Sequence, residues 1–206
     1  MKEGTIILSM STQTYAMSAR WVAAFTETFR KFKNYRFIWR TDTVPSGLPA
    51  NVITESWLEL AQLLAHPKTK LLITHAGGSS VAEAVSSGVP MITIPLFNDH
   101  QNKASILADK GLALLLQKHE LTPENLIYAV QQILSKRSYK SRAEQYASFF
   151  ETESAIFSKQ YMWWVRYAIR QGSRILSLHP KGKDQFILTY YHFDLLLLAV
   201  SVSFLM

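Results

Sequence analysis

The chain has 206 residues, no cysteine and a formal net charge of +7, with 48% apolar and 12% aromatic residues. That is enough for one well-packed domain with an appendage, and it excludes a disulfide framework and thiolate metal sites. The positive charge is concentrated late, where Lys159, Arg166, Arg170, Arg174, Lys181 and Lys183 lie in a stretch with no acid between Ala155 and Lys183. Just ahead of an apolar tail, such a segment suits a membrane surface or a plainly solvated face. It lacks the aromatic-plus-glycine pattern of an RNA-binding surface, so no nucleic-acid partner is expected.

Met1 to Gly4 lead straight into Thr5 to Leu8, an apolar run of strand length and too short for a secretory core, so no signal peptide is expected. Ser9 to Thr14 form a polar turn. Ser18 caps a helix to about Lys33, with Trp21, Val22, Phe25, Phe29 and Phe32 spaced for one core-facing stripe. Tyr35 to Arg40 read as a second strand, Pro45 to Pro49 as a loop, and Val52 to Thr54 as a third strand. Leu58 to His66 read as a helix ended by Pro67.

The most informative stretch runs from Leu71 to Asn102. Leu71 to Thr74 has the character of a strand buried on both faces. His75, Ala76, Gly77, Gly78, Ser79 and Ser80 follow, then a helical segment from Val81 to Ser87 that Gly88 and Pro90 stop. Met91 to Ile94 read as the next strand, which completes a βαβ unit. The turn places unpaired N–H groups at a helix N-terminus, where backbone donors and the helix dipole favour a phosphate; a diphosphate is expected there, with Ser79 and Ser80 as caps or donors. The turn is neither G-x-G-x-x-G nor G-x-x-x-x-G-K-[ST], so local spacing alone leaves an ordinary Gly-Gly loop open.

Gln101 to Lys110 read as a helix ended by Gly111, and Leu112 to Leu116 as a sixth strand. Thr122 and Pro123 start a helix to about Ser135, with Leu126, Val130, Ile133 and Leu134 on one face. A further helix is expected over Lys136 to Glu153, then an aromatic and basic segment from Ile156 to Arg170 with Trp163 and Trp164 together. Residues 186–206 are predominantly apolar, with His192 and Asp194 the residues polar enough to oppose a span, and as a helix they reach across about 30 Å of hydrocarbon. Six strands alternating with helices predict an α/β fold, a Rossmann-like doubly wound parallel sheet, followed by a C-terminal membrane helix. The expected divisions are residues 1–152, 153–185 and 186–206.

From Trp57 to Gln101 the sequence resembles the donor-binding signature of the UDP-glycosyltransferases, the family that includes the glucuronosyltransferases. The resemblance rests on Trp57, then Leu63, Leu64, His66 and Pro67, then Ile73 to Gly78, Glu83, Gly88 to Pro90, and Pro95 to Asp99. It extends in order from about Gly4 to the apolar tail and is closest to the animal, membrane-bound branch. It implies the C-terminal, donor-binding half of a GT-B glycosyltransferase. That half binds a UDP-sugar as co-substrate and needs no other cofactor and no metal.

The resemblance also implies roles for single residues. Trp57 stacks on the uracil, and its flat indole suits this. His75 approaches the donor phosphate, beside Gly77, Gly78, Ser79 and Ser80. Glu83 takes both ribose hydroxyls, and Asp99 and His100 meet the transferred sugar. Ser11, in the first polar turn, touches the diphosphate. Several positions depart from the family pattern. Ser11 stands where the family has Gly, Glu59 and Leu60 replace Pro-Gln, Ala76 replaces a common Gly and is suited to a negative φ, Ser79 replaces Asn, and His100 replaces Gln. The last exchange leaves the sugar open between a hexose and glucuronate.

The family's His base and its orienting Asp belong to an N-terminal domain, and none of the six histidines here matches that position. No catalytic residue is therefore assigned, and the chain by itself is expected to be inactive. The expected setting is single-pass in the endoplasmic reticulum membrane. Two other readings stay open: a UDP-binding regulatory short form that forms oligomers with full-length relatives, and a Rossmann-like protein with an unrelated ligand.

Overall fold

Ile6 and Leu8 face one side of the first strand and Ile7 the other, and all three are fully buried. Leu71 and Ile73 alternate with Leu72 in the same way. This is the mark of strands covered on both faces. A computed structural model describes residues 3–10, 17–172, 186–193 and 195. It divides into two compact units, Met1–Ser154 and Ala155–Met206.

In the first unit six strands form one sheet: β1 (Gly4–Ser9), β2 (Tyr35–Arg40), β3 (Val52–Glu55), β4 (Thr69–Thr74), β5 (Met91–Thr93) and β6 (Ala113–Leu115). Their spatial order is β3-β2-β1-β4-β5-β6, and every neighbouring pair is parallel. The expected doubly wound α/β sheet is present, and the order of winding reverses between β1 and β4.

The helices α1 (Ala19–Lys31) and α5 (Pro123–Ser135) cover one face. There Phe25, Phe29, Leu126, Val130 and Ile133 meet Ile6, Leu8, Phe37, Trp39, Leu71, Ile73, Ile92 and Ile94. Phe29 packs on Phe37 with ring centroids 4.5 Å apart and on Trp39 at 5.7 Å. The other face is covered by α2 (Leu60–Ala65), α3 (Gly78–Ser86), α4 (His100–Asp109) and the start of α6 (Arg137–Gln171), through Leu64, Ala84, Leu107 and Ala143.

The helix boundaries follow their caps. Ser18 accepts from the Trp21 N–H at 3.4 Å, and Thr122 accepts from the Asn125 N–H at 3.2 Å ahead of Pro123. Asn51 donates from Nδ2 to the carbonyls of Phe29, Phe32 and Tyr35, which ties the end of α1 to the start of β2. Gly88, at φ +63°, lies close against α6: an added Cβ would sit 3.3 Å from the Glu144 Cα.

Several expected boundaries move. The helix expected from Val81 begins at Gly78, so Ser79 and Ser80 belong to its first turn and not to the preceding loop. The helix expected from Leu58 begins at Leu60. The two segments expected on either side of residues 154–155 form one 35-residue helix, α6, because no Gly or Pro interrupts it before Gly172. Its later part carries exposed aromatics, with Trp163 stacked on Tyr167 at 5.3 Å.

The expected membrane helix over 186–206 lies largely outside the described residues; its described part holds the short helix α7 (Ile187–Tyr190). Among the described residues no helix is long and apolar enough to cross a membrane.

Candidate functional site

The C-terminal ends of β1, β4 and β5 converge where the sheet reverses its winding, the position at which open α/β sheets bind ligands. Thr74, the last residue of β4, is paired with Ser9 of β1 on one side and with Thr93 of β5 on the other. His75 follows and is 8% exposed. Burial is the main cause that lowers its pKa to about 4; His100 and the Lys103 cation push the same way, and the Ser9 backbone opposes them. At neutral pH the imidazole is uncharged and has one N–H to donate.

Ala76 is fully buried and takes φ +67°, so the suitability expected for a negative φ does not apply. The chain reverses here between β4 and α3, and an L-residue in the left-handed region carries about 1–2 kcal/mol of strain. Gly77, the N-cap of α3, has φ −63° and needs no special backbone freedom. Its constraint is space, because a Cβ would lie 2.5 Å from His75 Nε2. The absent side chain lets the imidazole lie against the start of the helix.

Among the described residues no side chain caps α3. Among the described residues nothing accepts from the backbone N–H groups of Gly78, Ser79 and Ser80. Three donors at the positive end of a helix therefore remain for an anion. Glu83 lies one turn further on, half-buried, with Oε2 buried and unpartnered among the described residues.

The fourth helix closes the other side. Asp99 is its N-cap and is exposed. Its Oδ2 lies 2.6 Å from Lys103 Nζ, and this bond is the first cause that holds the carboxyl below its usual range. His100 is 7% exposed, with its ring 4.7 Å from His75 and 4.7 Å from Phe97. Burial lowers its pKa, against the pull of Asp99.

His75, Gly77, Gly78, Asp99 and His100 are thus brought together, with Ser79, Ser80 and Glu83 on the same helix as the two glycines. Trp57 stands on the loop after β3, is 63% exposed, and donates from Nε1 to Glu59 at 2.9 Å; the described contacts do not join it to that group. Ser11 lies outside the described residues. Lys103 was not foreseen from the sequence. Its signal was the i,i+4 spacing from Asp99 at the start of a helix that follows a buried strand.

The buried atoms Thr74 Oγ1, Thr93 Oγ1, His75 Nδ1, His100 Nδ1 and Glu83 Oε2 have no hydrogen-bond partner among the described residues. Unmet buried polar atoms are rare, and five at one end of a sheet suit a polar ligand. Among the described residues no group of three or more His, Asp or Glu is placed to hold a metal.

A parallel sheet wound in this order, with helices on both faces, defines a Rossmann-like doubly wound α/β domain. The family model described as "UDP-glucoronosyl and UDP-glucosyl transferase" matches residues 2–206, and the chain belongs to that family. A UDP-glucuronosyltransferase of Pleuronectes platessa is 31% identical over 169 residues, covering 82% of this chain and 36% of that protein. UDP-glucuronosyltransferase 1A9 of Homo sapiens is 29% identical over 205 residues, covering 98% of this chain and 38% of that protein. The chain therefore spans little more than a third of the length of these relatives.

Two solved structures share the fold. The glycosyltransferase of kitacinnamycin matches with a TM-score of 0.68 and 21% identity, over 77% of this chain and 43% of that one. UDP-glucose: anthocyanidin 3-O-glucosyltransferase in complex with UDP matches with a TM-score of 0.66 and 21% identity, over 74% of this chain and 36% of that one.

Proposed function

We propose that the chain binds a UDP-sugar at the C-terminal end of its sheet and serves the donor side of hexosyl or glucuronosyl transfer to a small lipophilic acceptor. The observation that carries this reading is the start of α3, without a side-chain cap among the described residues, beside a buried, neutral His75, with the Glu83 Oε2 one turn further along and without a partner among the described residues. The diphosphate lies on the N–H groups of Gly78, Ser79 and Ser80. His75 donates one hydrogen bond and stabilises the charge that grows on departing UDP. Glu83 accepts from the ribose hydroxyls, and Trp57 offers an open indole face to the uracil. Asp99 takes hydroxyls of the sugar. Removing the proton of the acceptor hydroxyl needs a general base, and this reading assigns that role to no residue of the chain. Transfer therefore requires an acceptor-binding partner or domain that supplies it.

The test is calorimetric titration of the 206-residue chain with UDP, beside His75→Ala and Glu83→Ala. Micromolar-to-millimolar binding, weakened in both variants, is expected. A folded chain that ignores UDP overturns the reading.

One observation favours a second reading. His100 is packed between His75 and Phe97 and is 7% exposed, so its ring presents little to a sugar. That suits a UDP-binding regulatory form which associates with full-length relatives, and co-purification with such a relative is the discriminating measurement. Association with the endoplasmic reticulum membrane through 186–206 is proposed from the apolar sequence there. It requires the chain to stay in the pellet after carbonate extraction.

A further inference from the structure

Lys103 has no part in the motif read from the sequence, yet its ammonium stands at the start of α3. A Cβ added to Gly78, the first residue of that helix, would lie 3.4 Å from Lys103 Nζ. The cation also lies near enough to both histidine rings to depress their protonation. Its side chain is about two-thirds buried, and it pairs with Asp99 at 2.6 Å.

An ammonium has three N–H donors. The Asp99 bond uses one and fixes the direction of the stem, which leaves two for a ligand at the helix start. Two further observations show that this end is built for a ligand. His75 is more than nine-tenths buried, lies against Gly77, and has an Nδ1 without a hydrogen-bond partner among the described residues; the Glu83 Oε2 on α3 likewise has none among them. A helix dipole and a fixed cation add their fields at one point, and a dianionic phosphate is the chemistry that uses both.

We propose that Lys103 is a phosphate ligand of the donor site, bonded at once to Asp99 and to a phosphate of the nucleoside diphosphate. This rests on the donor-binding reading above and adds a residue to it. Asp99 then has two tasks, holding Lys103 and meeting the sugar. Lys103 also neutralises a carboxylate that would otherwise repel the diphosphate.

The experiment titrates the full chain, and its Lys103→Gln and Lys103→Arg variants, with UDP, uridine, UDP-glucose and UDP-glucuronate, and checks folding of each by thermal melting. Lys103→Gln is expected to weaken UDP and both UDP-sugars by about tenfold to a hundredfold. Uridine binding stays unchanged, and Lys103→Arg keeps most of the affinity. Wild type that binds UDP, with Lys103→Gln binding it equally well, overturns the Lys103 assignment and leaves the donor site standing. A loss confined to UDP-glucuronate overturns it too, because the cation then reads a sugar carboxylate. A wild-type chain that ignores UDP removes both readings together.

Discussion

The imidazole rings of His75 and His100 meet edge to face, with centroids 4.7 Å apart and planes at 76°. Both are buried at the ends of adjacent βα units, burial lowers the pKa of each, and His100 adds to the lowering at His75. The pair is neutral in the folded protein at neutral pH, and this has a consequence for stability. The folded His75 pKa is about 4 against an ordinary 6.5. Between those values the unfolded chain binds the proton and the folded chain does not. The His75 contribution is therefore fully present above about pH 6.5 and is lost as pH falls through about 4. At about pH 4.5 the loss is on the order of 2 kcal/mol. Urea unfolding of wild type and His75→Gln at pH 7 and pH 4.5 measures it. Wild type is expected to lose more stability than the variant, and equal losses would contradict the burial argument.

Gly77 and His75 share one volume. A methyl group on Gly77 would stand 2.5 Å from Nε2, and the ring cannot swing away without breaking its contact with His100. Overpacking of this kind costs about 1–3 kcal/mol. Gly77→Ala should lower the thermal midpoint and weaken UDP binding by more than tenfold. Gly78→Ala is the control at the next position, where the nearest atom is the end of the Lys103 side chain at 3.4 Å, and it should keep its stability. Equal melting of Gly77→Ala and wild type would show that His75 has another place to go.

The sheet was legible because the unbroken short apolar runs at Ile6, Ile7 and Leu8, and again at Leu71, Leu72 and Ile73, are a local property of the chain. The caps at Ser18 and Thr122 are local too. The less legible features depend on the fold. That Ala76 is left-handed follows from how β4 must turn into α3, and alanine does not announce it. That Lys103 reaches Gly78 depends on α4 lying beside α3. The start of α3 was read too late because small residues carry no apolar period, so Gly78 to Ser80 looked like loop. The continuity of α6 was hidden by a change in composition near residue 155, which altered the character of its surface without supplying a helix breaker.

Glu83 has a buried carboxylate oxygen with no hydrogen-bond partner among the described residues. A site built to hydrogen-bond a hydroxyl discriminates against ligands that lack it, because its own polar atom is then left unmet. The expected result is that the chain binds UDP about tenfold or more tighter than 2′-deoxy-UDP, and that Glu83→Gln narrows the gap. A carboxylate has two acceptor oxygens for a pair of ribose hydroxyls, whereas an amide offers one. Calorimetry with both nucleotides measures the difference. A wild-type chain that does not distinguish them would place Glu83 outside the ribose contact.

Trp57 provides the cleanest separation of binding from folding. Its indole is 63% exposed and its Nε1 is held by Glu59, so the ring is oriented without being packed into either core cluster. Removing an exposed side chain of this kind changes stability by about 0.5 kcal/mol or less. Stacking of a base on an aromatic face is worth about 1–3 kcal/mol. Trp57→Ala should therefore melt like wild type yet bind UDP about fivefold to a hundredfold more weakly, with Trp57→Phe between the two. Uridine and UDP should lose affinity by the same factor, since the proposed contact is with the base. Pyrophosphate binding should not change. Quenching of the Trp57 fluorescence by uridine gives an independent readout, and a Trp57→Ala chain that binds uridine as wild type does would move the uracil elsewhere.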